Sequence, residues 1–323
     1  AVGNYGNIVR STNNGESWDN ATTDNSTVSN LIGVTFGNST FVGVGLSGDI
    51  VRSTNNGSSW DNATSPTNNA LLGVVFGNNT FVAVGNSGTI LTSSNGTTWT
   101  SRTSGNSAHF KKVTFGNNTF VAVGQSGNIV RSTDNGSNWN DATSPISNSF
   151  TGISFGNNTF VGVAVNGKIV RSTNNGSSFN SVTSPTNNHL IGVGFGNNTF
   201  VAVGGSGNIV RSTDNGSNWN FATTNYSTTS QLNKVTFGNN TFVAVGVSGN
   251  IVRSTDNGSN WNDATTDNST TSQLNRVTFG NNTFVAVGDS GNIVRSTDNG
   301  SNWDNATTDN STANILYSVT FGE

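Results

Sequence analysis

The 14-residue stretch GNIVRSTDNGSNWN, residues 127–140, decides the fold of this chain because it recurs. It is found unchanged at residues 207–220 and 249–262, and again from residue 291 with Asp304 in place of the final Asn. The aromatic residue of this motif recurs at intervals of 39 to 42 residues: Trp18, Trp60, Trp99, Trp139, Phe179, Trp219, Trp261 and Trp303. A period of about 20–50 residues indicates a solenoid, a propeller or an array of repeats.

Each repeat divides into four short predicted strands, A to D. In the repeat around residue 200, strand B covers Thr199–Val203, with Phe200 and Ala202 on one face and Val201 and Val203 on the other. Because both faces are apolar, the strand is predicted to be covered on both sides. Its neighbours are predicted at Leu190–Phe195 (A), Asn208–Ser212 (C) and from Trp219 (D), separated by Asn- and Gly-containing turns.

The repeats predict an all-β fold, an eight-bladed β-propeller of four-stranded antiparallel blades that spans residues 1–323 as a single domain. A linear β-solenoid is the alternative. The first residues, Ala1 to Gly3, match the end of strand B, and residues 319–322 match strand A. We therefore expect the C-terminal strand to pair with the N-terminal blade and close the ring, which would remove an exposed sheet edge.

The composition excludes several classes of protein. A net charge of −3 and a pI near 5.3 give no electrostatic basis for binding nucleic acid. No apolar run reaches the roughly 18 residues needed to span a membrane, and there is no Cys to form a disulfide. A surface rich in Asn, Thr, Ser and Gly predicts an extracellular or cell-surface protein, and the sequence leaves its oligomeric state open.

Residues 132–139, 212–219, 254–261 and 296–303 match the Asp-box pattern S-x-D-x-G-x-x-W. The chain therefore resembles the β-propellers with bacterial neuraminidase repeats, which include sialidases, sortilin-type receptor domains and photosystem assembly factors. Three further boxes carry Asn instead of Asp, and one has Ser94. The resemblance implies structural turns away from the ligand site. This assigns structural roles to Asp134, Asp214, Asp256, Asp298, Trp139, Trp219, Trp261 and Trp303.

The resemblance also raises a sialidase-like glycoside hydrolase as an alternative, against which the residue inventory argues. Sialidases use a Tyr activated by a Glu, an Asp acid/base and three Arg. Here Glu16 lies in a box turn and Glu323 is the last residue, so no Tyr has a Glu partner. The two His show neither triad nor metal-ligand spacing, and no carboxylate pair stands out. We predict no catalytic residue, no cofactor and no metal.

Differences between the repeats locate the candidate binding face. The B–C and D–A connections vary, and a meander places them on one face, opposite the uniform A–B and Asp-box turns. Lys112, Lys234 and Arg276 share one position before the Val of strand A, where other repeats have Gly or Ser. This position is expected near the mouth of the central channel. The predicted ligand-binding residues are Tyr5, His109, Lys112, Lys168, His189, Tyr226, Lys234, Arg276 and Asp289.

An Arg recurs at the end of strand C, from Arg10 to Arg295, and such periodicity predicts a hydrogen-bonding or stacking element between blades rather than a substrate clamp. The sequence as a whole predicts a non-catalytic extracellular propeller that binds a glycan or a protein partner on its variable face. A purely structural or assembly module of a larger surface protein or filament is the alternative.

Overall fold

The structure is a computed structural model that describes residues 1–23, 29–225, 229–266, 271–308 and 314–322. The described chain forms an all-β propeller of seven blades, in which strands A, B, C and D follow one another along the sequence. We number the blades in chain order; they cover residues 31–62, 71–102, 110–141, 150–182, 190–221, 232–263 and 274–305.

The strands keep nearly constant lengths around the ring. Strands A are Leu31–Gly37, Leu71–Gly77, Phe110–Gly116, Phe150–Gly156, Leu190–Gly196, Leu232–Gly238 and Leu274–Gly280. Strands B are Thr40–Gly45, Thr80–Gly85, Thr119–Gly124, Thr159–Ala164, Thr199–Gly204, Thr241–Gly246 and Thr283–Gly288. Strands C are Ile50–Ser53, Ile90–Ser93, Ile129–Ser132, Ile169–Ser172, Ile209–Ser212, Ile251–Ser254 and Ile293–Ser296. Strands D are Ser59–Asn62, Thr100–Arg102, Asn140–Asp141, Asn180–Val182, Asn220–Phe221, Asn260–Asp263 and Asn302–Asn305.

The prediction of eight four-stranded blades is wrong. The two ends of the chain form two smaller sheets, in which Val2–Gly3 pairs with Leu316–Ser318, while Val9–Arg10, Ser17–Asn20 and Thr307–Thr308 form a three-stranded sheet. Within a blade a turn joins strands A and B, whereas here the equivalent strands come from opposite ends and pair only at two residues. We refer to these segments together as the terminal unit.

The hydrophobic core lies between blades rather than within them. In one cluster, Val161 and Val163 of blade 4 pack with Phe200, Ala202 and Trp219 of blade 5. Val201 and Val203, on the other face of the same strand B, pack against blade 6. The expectation that strand B is covered on both faces is therefore confirmed.

Successive strands A are held together by a Phe that lies over a Gly. A Cβ at Gly156, the last residue of strand A in blade 4, would overlap the ring of Phe195 in blade 5. The same relation holds for Gly37 with Phe76 and continues around the ring to Gly280 with Phe321. Within each blade the strand-A Phe also contacts the strand-B Phe, with ring centroids 4.6 Å apart.

The B–C connections are single 3-10 turns: Asn4–Gly6, Leu46–Gly48, Asn86–Gly88, Gln125–Gly127, Val165–Gly167, Gly205–Gly207, Val247–Gly249 and Asp289–Gly291. The first residue of each turn donates its N–H to the residue just before strand A of the same blade, as Leu46 does to the carbonyl of Asn30 at 2.9 Å. The B–C and D–A connections therefore lie on one face, as predicted.

After some strands D the chain adds a short strand to the outer edge of the next blade. Thr22–Thr23, Thr223–Thr224 and Thr265–Thr266 pair in parallel with strands D of blades 1, 6 and 7, and Thr307–Thr308 pairs with the terminal unit. In other connections a Thr-Ser-Pro sequence follows, as at Pro66 and Pro145, and the contact is reduced to single bridges at Thr64 and Thr143. Proline has no N–H to donate and therefore ends such an edge strand.

Seven of the eight boxes are closed by a donor–acceptor pair of side chains four residues apart, and the box of blade 2 instead has Asn95 accepting from Ser93 and from two backbone N–H groups. In the box of blade 3, Asp134 accepts hydrogen bonds from the hydroxyl of Ser132, the N–H of Asn138 and the Nδ2 of Asn138, at 2.8, 3.0 and 2.6 Å. Where Asn replaces Asp, the Nδ2 of that Asn donates to a Ser four residues on, as Asn55 does to Ser59 at 2.8 Å. A carboxylate only accepts hydrogen bonds, so an Asp in the box pairs with the amide of an Asn. An Asn in the same position donates through its amide and pairs with the hydroxyl of a Ser.

The periodic Arg bonds neighbouring blades at three of its seven positions. Arg10 donates to the carbonyl of Asn56 at 2.8 Å, Arg131 to Asn175 at 3.0 Å and Arg171 to Asn215 at 3.2 Å. Each acceptor belongs to the Asp box of the next blade. These three Arg residues therefore connect neighbouring blades, whereas the Nε atoms of Arg52, Arg211 and Arg253 are buried without a hydrogen-bond partner among the described residues.

Because the Phe ring lies directly over the Gly, adding a single methyl group to that Gly is predicted to destabilise the protein. Gly156→Ala should lower the free energy of unfolding by about 1–3 kcal/mol because the new Cβ overlaps the Phe195 ring. Gly205→Ala is the matched control, since the nearest atom to its Cβ would lie 3.7 Å away. Chemical denaturation measures both variants, and equal stability of the two would contradict the contact.

The Asp boxes predict a loss of stability in acid. The N–H of Asn138, with the other donors of the box, lowers the pKa of Asp134 from 3.8 to about 2, and the pKa of Asp214 is also lowered to about 2. A carboxyl with a lowered pKa stabilises the fold above about pH 4, and this contribution disappears as the pH falls through 2.

The matched variant replaces Asp134 and Asp214 by Asn and Asn138 and Asn218 by Ser, which is the pairing that the chain uses at Asn55 and Ser59. Its melting temperature should fall less than that of the wild type between pH 4 and pH 2, because the amide does not titrate. Parallel pH profiles of the two proteins would refute the role assigned to the carboxylates.

Candidate functional site

The innermost strands bring three basic residues to one level of the central channel. Strands A of successive blades contact one another around the axis. Lys112, Lys234 and Arg276 are each the third residue of strand A, in blades 3, 6 and 7. Gly stands at this position in the other four blades and Ser318 in the terminal unit. We refer to Lys112, Lys234 and Arg276 as the mouth cations.

A β-bulge directly precedes each mouth cation. The register between strands A and B shifts between Phe110 and Lys112, and the equivalent shift occurs in all seven blades. Before the mouth cations the extra residue is Lys111, Asn233 or Asn275. A bulge twists the strand locally and redirects the side chains beside it.

Two of these bulge residues link neighbouring strands A at the mouth of the channel. Asn233 donates through Nδ2 to the carbonyl of Leu274 at 2.9 Å, and Asn275 donates to the carbonyl of Leu316 at 3.0 Å. Each bond joins one strand A to the first residue of the next. Sequence reasoning missed these two residues, although their polar side chains stand where blades 1 and 2 have Ile32 and Leu72.

The mouth cations repel one another. The charge of Arg276, followed by burial and by the charges of Lys234 and Lys111, lowers the pKa of Lys112 well below its ordinary value. Burial, followed by the charge of Arg276, lowers the pKa of Lys234 to about 7, and burial also lowers the pKa of Arg276. Blades 3 and 7 are not neighbours, so the interaction between Lys112 and Arg276 acts across the channel.

No carboxylate on the channel strands balances these charges. The seven strands A contain neither Asp nor Glu. Within the described residues, none of the mouth cations makes an ion pair or a side-chain hydrogen bond. The three side chains are half-buried, and partly burying a charge without a partner is unfavourable, so an anion would stabilise the mouth.

The two predicted His residues do not join the mouth cations but hold B–C turns. His109 Nδ1 lies 2.8 Å from Asn86 Oδ1, and His189 Nδ1 accepts a hydrogen bond from the backbone N–H of Asn166 at 2.9 Å. Both Asn residues belong to B–C turns of the preceding blade. The two His residues therefore lie on the predicted face, and the Nδ1 atom of each contacts a B–C turn of the protein itself.

The remaining predicted site residues are spread over the same face. Lys168 is exposed beside a B–C turn, and Asp289 accepts a hydrogen bond from Asn275 at 2.9 Å, next to Arg276. Tyr5 is 71% exposed and has a φ of 54°, in a turn position where other repeats have Ser or Asn. A positive φ is unusual for a bulky side chain. Tyr226 lies outside the described residues.

The described residues hold no cluster of three or more His, Asp or Glu side chains that would bind a metal ion. The box carboxylates have lowered pKa values, which is the opposite of what a general acid needs. Among the described carboxyls only Asp263 has a pKa raised by burial, and it lies on strand D of blade 6, far from the channel and beside the edge strand Thr223–Thr224. No described helix is long and apolar enough to cross a membrane.

The comparisons with known proteins show the fold. The family described as "DUF6242 beta propeller domain" matches residues 34–151, a little over a third of the chain. No curated protein sequence matches. The chain is similar to a structure of YCF48 bound to D1 peptide, with 17% identity, a TM-score of 0.66, and coverage of 83% of this chain and 91% of that one.

Two other solved structures share the architecture. YCF48 from Cyanidioschyzon merolae is 16% identical, with a TM-score of 0.64 and coverage of 82% of this chain and 94% of that one. The computationally designed Ika8 protein is 14% identical, with a TM-score of 0.73 and coverage of 91% of each chain. These similarities support the propeller fold, while membership of the bacterial neuraminidase repeat family stays a prediction.

The repulsion at the mouth predicts that its cations destabilise the protein. Because the pKa of Lys234 is lower in the folded chain than in the unfolded one, the unfolded chain binds more protons between about pH 7 and 10.5. Lys112→Gln and Lys234→Gln should therefore each raise the melting temperature at pH 7, by about 2 °C for each kcal/mol relieved. Lys168→Gln, an exposed site on the same face, should leave it unchanged; a fall in both mouth variants would contradict the repulsion.

Proposed function

We propose that this chain is a non-catalytic binding propeller whose channel mouth takes an acidic segment of a protein partner. The observation that carries the proposal is the convergence of Lys112, Lys234 and Arg276 with no carboxylate on the seven strands A. These charges lower the stability of the free protein. An anionic partner would relieve the repulsion. The free energy of folding that the free protein loses to this repulsion would then contribute to binding.

A protein segment fits the form of the site. The mouth cations lie on three different strands and act on one another across the channel, which suits an extended chain with several carboxylates better than a compact anion. YCF48, whose fold this chain shares, has been solved bound to a peptide. That similarity supports a peptide as the class of partner for this propeller, without identifying the sequence it binds.

An acidic glycan is the second candidate, and Tyr5 is the observation that favours it. Its ring is 71% exposed on the face that carries the mouth, in a backbone conformation that a large side chain rarely adopts. Exposed aromatic rings present an apolar surface on which a sugar ring packs. We retain with this candidate the proposal, based on composition, that the protein lies outside the cell or at its surface.

The mouth should bind acidic peptides in a pH-dependent way. Calorimetric titration with the blocked hexapeptide Asp-Glu-Asp-Glu-Asp-Glu should show saturable binding, and the Asn/Gln analogue should not bind. Changing Lys112, Lys234 and Arg276 to Gly, the residue of the other blades, should weaken binding at least ten-fold. Affinity should fall as the pH rises from 6 to 9, because Lys234 loses its proton near pH 7.

The matched control removes three charges from the opposite face, by changing Arg52, Arg211 and Arg253 to Gln, because the Nε atoms of these residues make no hydrogen bond among the described residues. Equal weakening by this variant would show an effect of net charge alone and refute the site. A parallel titration with a sialic-acid-terminated trisaccharide and its neutral counterpart tests the second candidate. Binding of the acidic trisaccharide that is lost in Tyr5→Ser would favour a glycan partner over a peptide.

A further inference from the structure

A cavity of about 420 Å³ lies at the outer rim of the ring, between blades 4 and 5. One wall is formed by Asn180–Val182, which is strand D of blade 4, and the other by residues 217–220 in the Asp box of blade 5. This volume is within the range of pockets that hold ligands, about 300–1,000 Å³. We refer to this cavity as the rim groove. The other junctions between blades show what occupies the same position elsewhere in the ring.

Between blades 5 and 6 this position is filled by a segment of the chain itself. Thr223–Thr224 pairs in parallel with the outer edge of blade 6. Thr223 donates its N–H to the carbonyl of Ser259 at 2.8 Å, and Asn225 donates to the carbonyl of Trp261 at 2.9 Å. A Thr-Thr dipeptide followed by a residue with an N–H thus completes the outer edge of the sheet.

Between blades 4 and 5 the equivalent residues leave this edge open. Residues 183–185, Thr-Ser-Pro, stand where the next junction has Thr-Thr-Asn. Pro185 has no N–H, so it cannot make the bond that Asn225 makes. Within the described residues the carbonyls that would accept here, those of Ser217 and Trp219, have no backbone partner. An unpaired edge of this kind is a template for another strand.

The other junctions without a Thr-Thr strand are closed by a different contact. Asn106, in the connection from blade 2 to blade 3, donates to Asp141 of strand D at 2.9 Å. At blades 2 and 4 a single bridge joins the connection to the Asp box, at Thr64 and Thr143. The edge of blade 5 shows neither contact among the described residues, so it is the most accessible of the four.

An exposed aromatic side chain stands at the end of this edge. Phe221 is 53% exposed, at a position where the other seven repeats have Asn, Asp or Ser. Side chains alternate along a strand, so Phe221 lies on the same face as Trp219, which packs against blade 4. Asp141, at the equivalent position of blade 3, bonds to the connection that arrives from the preceding blade. Phe221 therefore flanks the rim groove.

The charge of the rim groove limits the segments that fit it. Among the described residues that line it, Arg171 is the only charged one, and its Nε donates to the carbonyl of Asn215 at 3.2 Å. The same lining offers no carboxylate to a Lys or Arg of a partner. Because like charges repel and opposite charges attract across an interface, the groove favours an uncharged or acidic segment.

We propose that the rim groove binds an extended segment of a partner polypeptide with the pattern Thr-Thr-x-aromatic, which adds in parallel to residues 217–221 of blade 5. The two Thr residues take the places that Thr223–Thr224 takes at blade 6, and the third residue donates its N–H to the carbonyl of Trp219. The same register puts the fourth residue opposite Phe221, where an aromatic ring covers the exposed side chain. Main-chain bonds supply affinity, and the aromatic pair supplies specificity.

The segment comes from a partner chain rather than from a folded second copy. The Thr-Thr strands of this chain are already paired, at blades 1, 6 and 7 and in the terminal unit, so a folded copy has none of these to donate. The rim groove lies at the circumference, whereas the mouth cations lie on the innermost strands. This proposal therefore does not depend on the proposed function.

The test titrates the full chain with the blocked peptide Ala-Thr-Thr-Asn-Tyr, the sequence of residues 222–226. NMR spectra should show saturable shifts at residues 217–221. Hydrogen exchange of the Trp219 amide should become slower, because its equivalent in blade 4, Phe179, bonds to the carbonyl of Thr143 at 2.9 Å in the single bridge there. The matched peptide Ala-Thr-Thr-Pro-Tyr should bind at least ten-fold more weakly, since its Pro has no N–H to donate.

Protein variants give a second readout. Phe221→Ser, which introduces the residue of blades 2 and 4, should weaken binding of Ala-Thr-Thr-Asn-Tyr about ten-fold, because it removes one ring of the aromatic pair. Tyr5→Ser changes the other exposed aromatic side chain and is the matched control, which should bind normally. The triple mouth variant should also bind normally, so that a failure here is distinct from a failure of the proposed function.

Three results would overturn the proposal: no saturable shift, equal binding of the Pro peptide, or shifts confined to residues outside 217–221. Shifts at residues 217–221 that grow with protein concentration and do not respond to the peptide would overturn it as well. They would show that a second copy of the chain occupies the rim groove.

Discussion

The ring depends on the contact between a Phe ring and a Gly in successive strands A. Because these strands surround the central channel, their separation fixes the spacing of all the blades. A Gly at the end of one strand leaves room for the Phe of the next, as with Gly156 and Phe195. In blade 2 the strand-A residue Phe76 contacts Phe81 of strand B, which in turn contacts Trp99 of the Asp box. One residue type therefore connects the channel wall to the outer turns.

The repeat made much of the fold predictable. The alternation of apolar residues on strand B indicated packing on both faces, and the clusters around Val161 and Val201 follow that pattern. The number of blades was not predictable from the count of aromatic landmarks. Trp18 marks an Asp box, but the strands beside it come from opposite ends of the chain and pair at only two residues. Spacing along the chain does not reveal how far such strands pair.

The candidate site was predictable in its position and not in its energetics. Comparing the repeats was enough to find Lys112, Lys234 and Arg276 at one level of the channel. The bulges before them, and the bonds made by Asn233 and Asn275, depend on how neighbouring strands meet. The lowered pKa of Lys112 likewise depends on a charge from a blade that is not adjacent. Interactions across a closed ring have no signature in local sequence.

The short Thr-Thr strands have a consequence for how the disc behaves in solution. They cover the outer edges of blades 1, 6 and 7 and of the terminal unit, which are consecutive around the ring. The outer edges of blades 2 to 5 have at most single bridges in the described structure. One arc of the circumference is therefore protected from pairing with a foreign strand, and the other is exposed. When such discs are concentrated, lateral association should be directional, with the exposed arcs meeting first.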